Sequence, residues 1–227
     1  TIYISAVSLN TTNVQIFSQQ SSFTTLSYTI AAGAVQTVTL PSTTLTTSSS
    51  YNTYYLQADS DVSVIALNYA NVFPSGSEDS YLLLPVDIPN PTSFRVAAYS
   101  PDSGNGDASL IGIVASEDNT LISIEYSSSA AITSPTSITL NKYEGILIES
   151  TSGDLTGSLI TSNSSISVFS GNECTQVPAT IPYPSHLVEQ MMPTSSWGTL
   201  FYTVPIPLVK IMMYFERLRM KIKHQFM

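Results

Sequence analysis

Few side chains in this 227-residue chain could do chemistry, and they do not form a complete set. Cys174 is the only cysteine, and His186 lies twelve residues further on. A nucleophilic thiolate needs such a histidine, and the histidine needs an orienting partner. Pro178, Pro182 and Pro184 intervene, and no Asn or Asp near His186 suggests itself for that role. His186 and Glu189 have an H-x-x-E spacing, but zinc requires further ligands, and the other histidine, His224, lies in an atypical C-terminal segment. No G-x-S-x-G elbow accompanies the many serines. Asp102 to Asp107 breaks the register of a calcium loop, with Ile113 where the bidentate glutamate belongs. Its Asn105-Gly106 reads as a hairpin turn, and Glu117-Asp118-Asn119 reads as another, since Asn tolerates positive φ. No catalytic, cofactor-binding or metal residue is therefore assigned. The enzyme alternative is a carbohydrate-active enzyme on a β-propeller scaffold, which would need two carboxylates facing each other in a pocket.

The composition sets the frame for those residues. Hydrophobic residues make up 43% of the chain, too many for a disordered polymer, and the length is ample for a sizeable core. Seven Lys+Arg stand against 16 Asp+Glu. An acidic surface repels phosphate backbones, which argues against nucleic acid as a partner. Nothing reaches the length of apolar sequence that a membrane-spanning helix needs, so a membrane partner is not expected. Five of the seven cations (Lys210, Arg217, Arg219, Lys221 and Lys223) follow Val209, in a stretch without Ser or Thr. The reading is thus of two regions, a β domain over 1–205 and a basic tail over 206–227. The tail, with Ile211, Phe215, Leu218, Ile222 and Phe226 at helical spacing, is expected to be helical or disordered and not to pack on the β body.

Before the tail, β-branched runs alternate with polar residues and are separated by Ser/Thr/Gly/Pro/Asn clusters. Examples are Thr12 to Phe17, Val35 to Leu40, Val62 to Leu67, Ile111 to Ala115, Leu121 to Tyr126, and Ser165 to Phe169. A period of two buries one face of a pleated strand, so the body reads as all-β. The runs also repeat in order. Thr12, Val14 and Ile16 match Thr120, Ile122 and Ile124, and Val38-Thr39-Leu40 matches Ile138-Thr139-Leu140. Val62-Ser63-Val64 matches Ile166-Ser167-Val168, Leu84-Pro85 matches Met192-Pro193, and Phe94 matches Phe201. The offsets fall between 100 and 108 residues, which implies repeated antiparallel β units of about 105 residues. A propeller-like arrangement of these units is favoured over tandem β-sandwiches, because no polar linker stands out between them.

The sequons Asn10-Thr11-Thr12 and Asn163-Ser164-Ser165 sit in loop-like positions and make Asn10 and Asn163 candidate glycosylation sites. More specific strings occur in the second unit. They are Val114 to Thr120, Asp154-Leu155-Thr156-Gly157-Ser158, Ile166 to Gly171, Cys174, His186-Leu187-Val188-Glu189-Gln190, Pro193 and Ser196-Trp197-Gly198. In this order they resemble the N-terminal domain of the IgGFc-binding protein family, from about Val62 to Val204. The resemblance implies a secreted, extracellular, non-enzymatic binding or adhesion module of a mucus or matrix-type protein. Its implied partners are extracellular proteins or glycans, with immunoglobulin Fc among them in a host that has it. No cofactor is implied. A second family cysteine, just before the H-L-V-E-Q string, is replaced here by Pro184 and Ser185, which leaves the partner of Cys174 undetermined. Cys174, His186, Glu189 and Trp197 are motif residues without an assigned role, and Trp197 is expected to pack in the core or at a strand edge.

Overall fold

A computed structural model describes residues 1–70, 77–89, 91–101, 107–127, 132, 134–177 and 184–202. The basic tail and its expected conformation lie outside the described residues, as does the Asn105-Gly106 turn. Fifteen strands form among the described residues. The first seven are β1 (Ile2–Ala6), β2 (Thr12–Phe17), β3 (Leu26–Ile30), β4 (Val35–Val38), β5 (Tyr55–Ala58), β6 (Val62–Ala70) and β7 (Ser77–Leu83). A short β8 (Ser93–Arg95) follows. The second set is β9 (Ser109–Ala115), β10 (Thr120–Glu125), β11 (Ser137–Leu140), β12 (Gly145–Ser150), β13 (Leu159–Ser162), β14 (Ile166–Thr175) and β15 (Ser185–Gln190). Period-two burial is plain in β2, where Thr12, Val14 and Ile16 are buried and Asn13 and Gln15 exposed, and it recurs in β10. The body is all-β, as the alternation predicts.

The strands form four antiparallel sheets with the orders β4-β1-β6-β7, β3-β2-β5, β12-β9-β14-β15 and β11-β10-β13-β8. Adding eight to each strand of the first two orders gives the last two, apart from the extra β8. The repeat is therefore real at the level of topology. Two separate cores follow the same division. One draws Ile2, Ile4 and Val64 from the first sheet and Val14, Ile16 and Ile30 from the second. The other draws Ile111, Ile113, Ile148 and Val168 from the third and Phe94, Ile122, Leu140 and Ile160 from the fourth. Each unit thus closes two sheets face to face over one apolar layer. The four antiparallel sheets are arranged as a propeller-like ring, as the sequence reading favours, although consecutive strands such as β1 and β2 lie in different sheets.

Registers refine the residue equivalences. Ile16 opposes Leu56 and Ile124 opposes Ile160, so β2 and β10 correspond as expected. Met191 N–H donates to the carbonyl of Val168 while Leu83 opposes Val64, which keeps Leu84-Pro85 aligned with Met192-Pro193. The match of Val38 to Ile138 does not hold. Val38 opposes Ile2 in the outer position of its sheet, and its counterpart is Ile148 opposite Ile111 in β12. Leu140 of β11 corresponds instead to Ile30, since each opposes the buried threonine that opens its central strand. Thr-rich strands of similar length look alike in sequence, and only pairing separates them.

One glycine is fixed by close approach. A Cβ on Gly171 would lie 1.8 Å from the carbonyl oxygen of Leu187 on the adjacent strand. The string Ile166 to Gly171 can end only in glycine there. Gly171→Ala is expected to lower stability by about 3 kcal/mol, the upper end of overpacking costs, read as a drop in the denaturant midpoint. An unchanged midpoint would mean that the two strands are not held this closely.

Candidate functional site

The string His186 to Gln190 lies in strand β15, and its role begins with what lies on either side of it. On one side it pairs with β14 from Phe169 to Thr175. The register shifts between Asn172 and Thr175, so Glu173 and Cys174 together face His186, as in a β-bulge. On the other side it meets β7 of the first unit through side chains. Asp79 Oδ2 accepts from Val188 N–H at 2.8 Å, and Ser77 Oγ accepts from His186 N–H at 2.6 Å. Gln190 Oε1 accepts from Leu84 N–H at 2.8 Å while its Nε2 donates to Leu84 C=O at 3.3 Å. The amide of a buried glutamine thereby imitates one residue of a neighbouring strand. Tyr81 packs edge-on against Phe169 at 5.8 Å across the same seam. Burial, with the charges of Glu189 and Asp79 behind it, pushes the Tyr81 phenol up to about 12.

A second contact joins the units. Residues 46–50 run along the free edge of β12, with Leu147 N–H donating to Thr46 C=O and Ser50 bridged to Gly145. Leu45 fills the space left by Gly112 and Gly145, where a Cβ would come within 3.3 and 2.8 Å of it. Tyr55 stacks on Phe17 at 4.9 Å and on Tyr143 at 3.7 Å, and Lys142 Nζ lies 5.1 Å from the Tyr143 ring. Tyr143 holds φ +67°, a conformation costly for a bulky residue, and Thr53 Oγ1 donates to its carbonyl. The Glu117–Asn119 turn docks here too: Asn119 has φ +55°, and Asp118 Oδ1 accepts from Lys142 N–H.

Between the β14–β15 pair and the segment 97–100 lies a cleft of about 290 Å3. Asp154 and Glu189 both line it, with Tyr99, Ser100, Thr156 and an apolar floor that includes Leu187. Asp154 is held in place, its two oxygens accepting from Thr156 N–H at 2.8 Å and Ser100 O–H at 3.1 Å. Burial, then Asp154, raises the Tyr99 phenol. Ser170 and Asn172 of β14 donate to the carbonyls of Ala97, Tyr99 and Ser100 and fix the facing wall. Rich in acceptors, the cleft suits a ligand that brings donors, such as hydroxyls or a cation.

The structure disperses the residues singled out by the sequence. Glu189 reaches the cleft. His186 is at the seam, Nδ1 3.1 Å from Glu173 C=O and Nε2 3.5 Å from Asn68 Nδ2. Cys174 is half-buried in the bulge, its N–H donating to Asn172 Oδ1. Trp197 does not pack in the core as expected. It is 58% exposed, and its indole N–H is 3.4 Å from Met192 C=O. Asn10 and Asn163 are exposed in loops, and Asn163 Oδ1 accepts from Leu121 N–H. No group of metal-ligating residues gathers among the described residues.

With this geometry established, residues 79–220 match the family described as IgGFc binding protein. The chain belongs to that family. The match begins within β7, so it takes in the partner strand of the His186–Gln190 string along with the second unit, and it runs on into the basic segment. The human IgGFc-binding protein is 44% identical over 68 residues, which is 30% of this chain and 1% of that protein. The chain thus spans about 1% of the length of that relative. No solved structure matches the chain. Nothing in the sequence marks Asp79 and Asp154 as structural acceptors, since an isolated Asp among polar residues looks the same whether it binds backbone or water.

Two outcomes test the seam. Gln190→Ala removes both bonds to Leu84 and is expected to cost about 1–3 kcal/mol in chemical denaturation, while Gln190→Glu, which cannot donate to Leu84 C=O when ionised, recovers only part. Tyr81 favours its neutral form in the folded state, so the unfolded chain loses that proton first. Stability is expected to fall between pH 10 and about 12, and Tyr81→Phe should flatten that fall in alkaline melts.

Proposed function

We propose that this chain is an extracellular, non-enzymatic binding module, with 1–205 as its β domain and 206–227 as a separate basic tail. The observation that carries the reading is the use made of the family string. His186 to Gln190 joins the two units through polar contacts and leaves a cleft whose carboxylate Asp154 is already held as an acceptor. The human relative is named for binding IgG Fc. Immunoglobulin Fc is the first partner to test in a host that has it, and hydroxyl-rich glycans of mucus are the second. The exposed sequons at Asn10 and Asn163 fit secretion. Made in a secretory cell, the chain is expected to carry N-glycans at both positions, seen as a mass loss on enzymatic deglycosylation.

The other reading is a carbohydrate-active enzyme, favoured by the presence of Asp154 and Glu189 in one cleft. One set of experiments separates the two. The purified chain is expected to bind immobilised Fc or mucin glycans without changing them. Asp154→Asn and Glu189→Gln should each weaken binding about tenfold, or about 1.4 kcal/mol. Glycosidic cleavage that disappears in Glu189→Gln would overturn the binding reading in favour of the enzyme.

A further inference from the structure

The turns that lead into β4 and β12 are built alike. In the first unit Gly33 N–H donates to Ala6 C=O, Ala34 N–H to Ala31 C=O and Ala6 N–H to Ala34 C=O. In the second unit Tyr143 N–H donates to Ala115 C=O, Glu144 N–H to Asn141 C=O and Ala115 N–H to Glu144 C=O. The backbone conformation is shared as well, with φ +69° at Gly33 and +67° at Tyr143. Glycine adopts that conformation at little cost, whereas a tyrosine there is strained. The turn itself calls for glycine, so the strain at Tyr143 is accepted for the sake of its ring.

That ring meets Tyr55 of β5. The two centroids are 3.7 Å apart and the planes are 4° from parallel. Burial raises the Tyr55 phenol first, and the Tyr143 phenol, to which it is hydrogen-bonded, raises it further. Stacked rings whose hydroxyls meet at one end also superpose the carbons beside those hydroxyls, the Cε positions. Phe17 closes the other face of Tyr55 at 4.9 Å, and a phenylalanine has no phenol to oxidise. Both tyrosines are half-buried, which leaves them open to oxidation from the surface. They belong to different units, and with Cys174 the only cysteine in the 227 residues, no disulfide within this chain can join those units.

We propose that Tyr55 and Tyr143 are a site of oxidative cross-linking, coupled into dityrosine by hydrogen peroxide through a haem peroxidase, and that the new bond locks the two units together. Each phenol gives up one electron and one proton, and the two of each reduce the peroxide to two waters. The unpaired electron of each phenoxyl radical is shared between oxygen and the Cε carbons. A Cε–Cε bond then forms between the stacked rings, and the hydrogens on the joined carbons move to the oxygens and restore both phenols. The product has lost two hydrogens. Neither tyrosine lines the cleft, so the inference goes beyond the binding reading and does not rest on it.

The experiment treats the purified 227-residue chain with a haem peroxidase and limiting peroxide, with free tyrosine as the control that the reagents couple phenols. The chain is expected to gain the blue fluorescence of dityrosine and to lose the mass of two hydrogens. It should remain a monomer on denaturing gels at every dilution and give a cross-linked peptide pair that contains Tyr55 and Tyr143. The cross-linked chain should unfold at a higher denaturant midpoint, because the bond closes a long loop of the unfolded chain. Tyr55→Phe and Tyr143→Phe keep the stack but lack one phenol, so each should retain its far-UV circular dichroism and lose the product. Tyr143→Gly restores the residue that the turn favours, so it should fold without the strain and also lose the product. Coupling that maps to other tyrosines, that survives in Tyr55→Phe, or that yields only dimers would overturn the proposal. So would an inert chain where free tyrosine reacts, or a cross-linked chain with an unchanged midpoint.

Discussion

An unpaired sheet edge is the constraint on which this molecule turns. An open antiparallel sheet leaves a row of N–H and C=O groups at each outer strand, and water or another chain will take them if the fold does not. The third sheet shows how the constraint is met. Its β12 edge receives residues 46–50 of the first unit, and its β15 edge receives β7. Both covers come from the other unit, so the second unit's central sheet is complete only in the presence of the first.

The covering at β15 uses side chains because β7 and β15 do not form a continuous ladder. Asp79, Ser77 and Gln190 span a gap that backbone alone would leave open, each satisfying a backbone group on the far side. Two carboxylates beside a buried phenol make this a negatively charged seam. It is tolerable because Val188 N–H binds one of them and the Tyr81 hydroxyl stays neutral below strongly alkaline pH. The same layout explains the cleft. Its wall is the far face of the strand pair that the seam holds in place, so its acceptors are set by the interface.

The sequence made the strands legible because burial has a period of two, and it made the repeat legible because the same strand order recurs. Thr12, Val14 and Ile16 against Thr120, Ile122 and Ile124 is the clearest case. Sheet pairing was not legible. Which strands share an edge depends on pairing, and alternation is identical whichever strands pair. The residues between β7 and β9 are themselves structural, since they include β8 and its buried Phe94, which agrees with the absence of a polar linker in a propeller-like ring. His186 to Gln190 was legible as specific but not as a seam, because its partners lie over a hundred residues away. Trp197 misled for a simple reason: a lone tryptophan is usually buried, and this one follows the last strand described.

A long and specific sequence string is often taken to mark a reactive site, yet this one follows from geometry at a joint. Gln190 must both donate to and accept from Leu84, which Glu and Asp cannot do when ionised, nor any apolar residue. Gly171 must lack a Cβ because Leu187 passes within 1.8 Å of where it would be. Position 186 must free its N–H for Ser77 while its ring reaches Glu173 across the bulge. Each requirement restricts a position as tightly as catalysis would, and none moves a proton or breaks a bond. The direction of the covering follows the chain: residues 46–50 and β7, both of the first unit, close the two outer edges of the central sheet of the unit that follows.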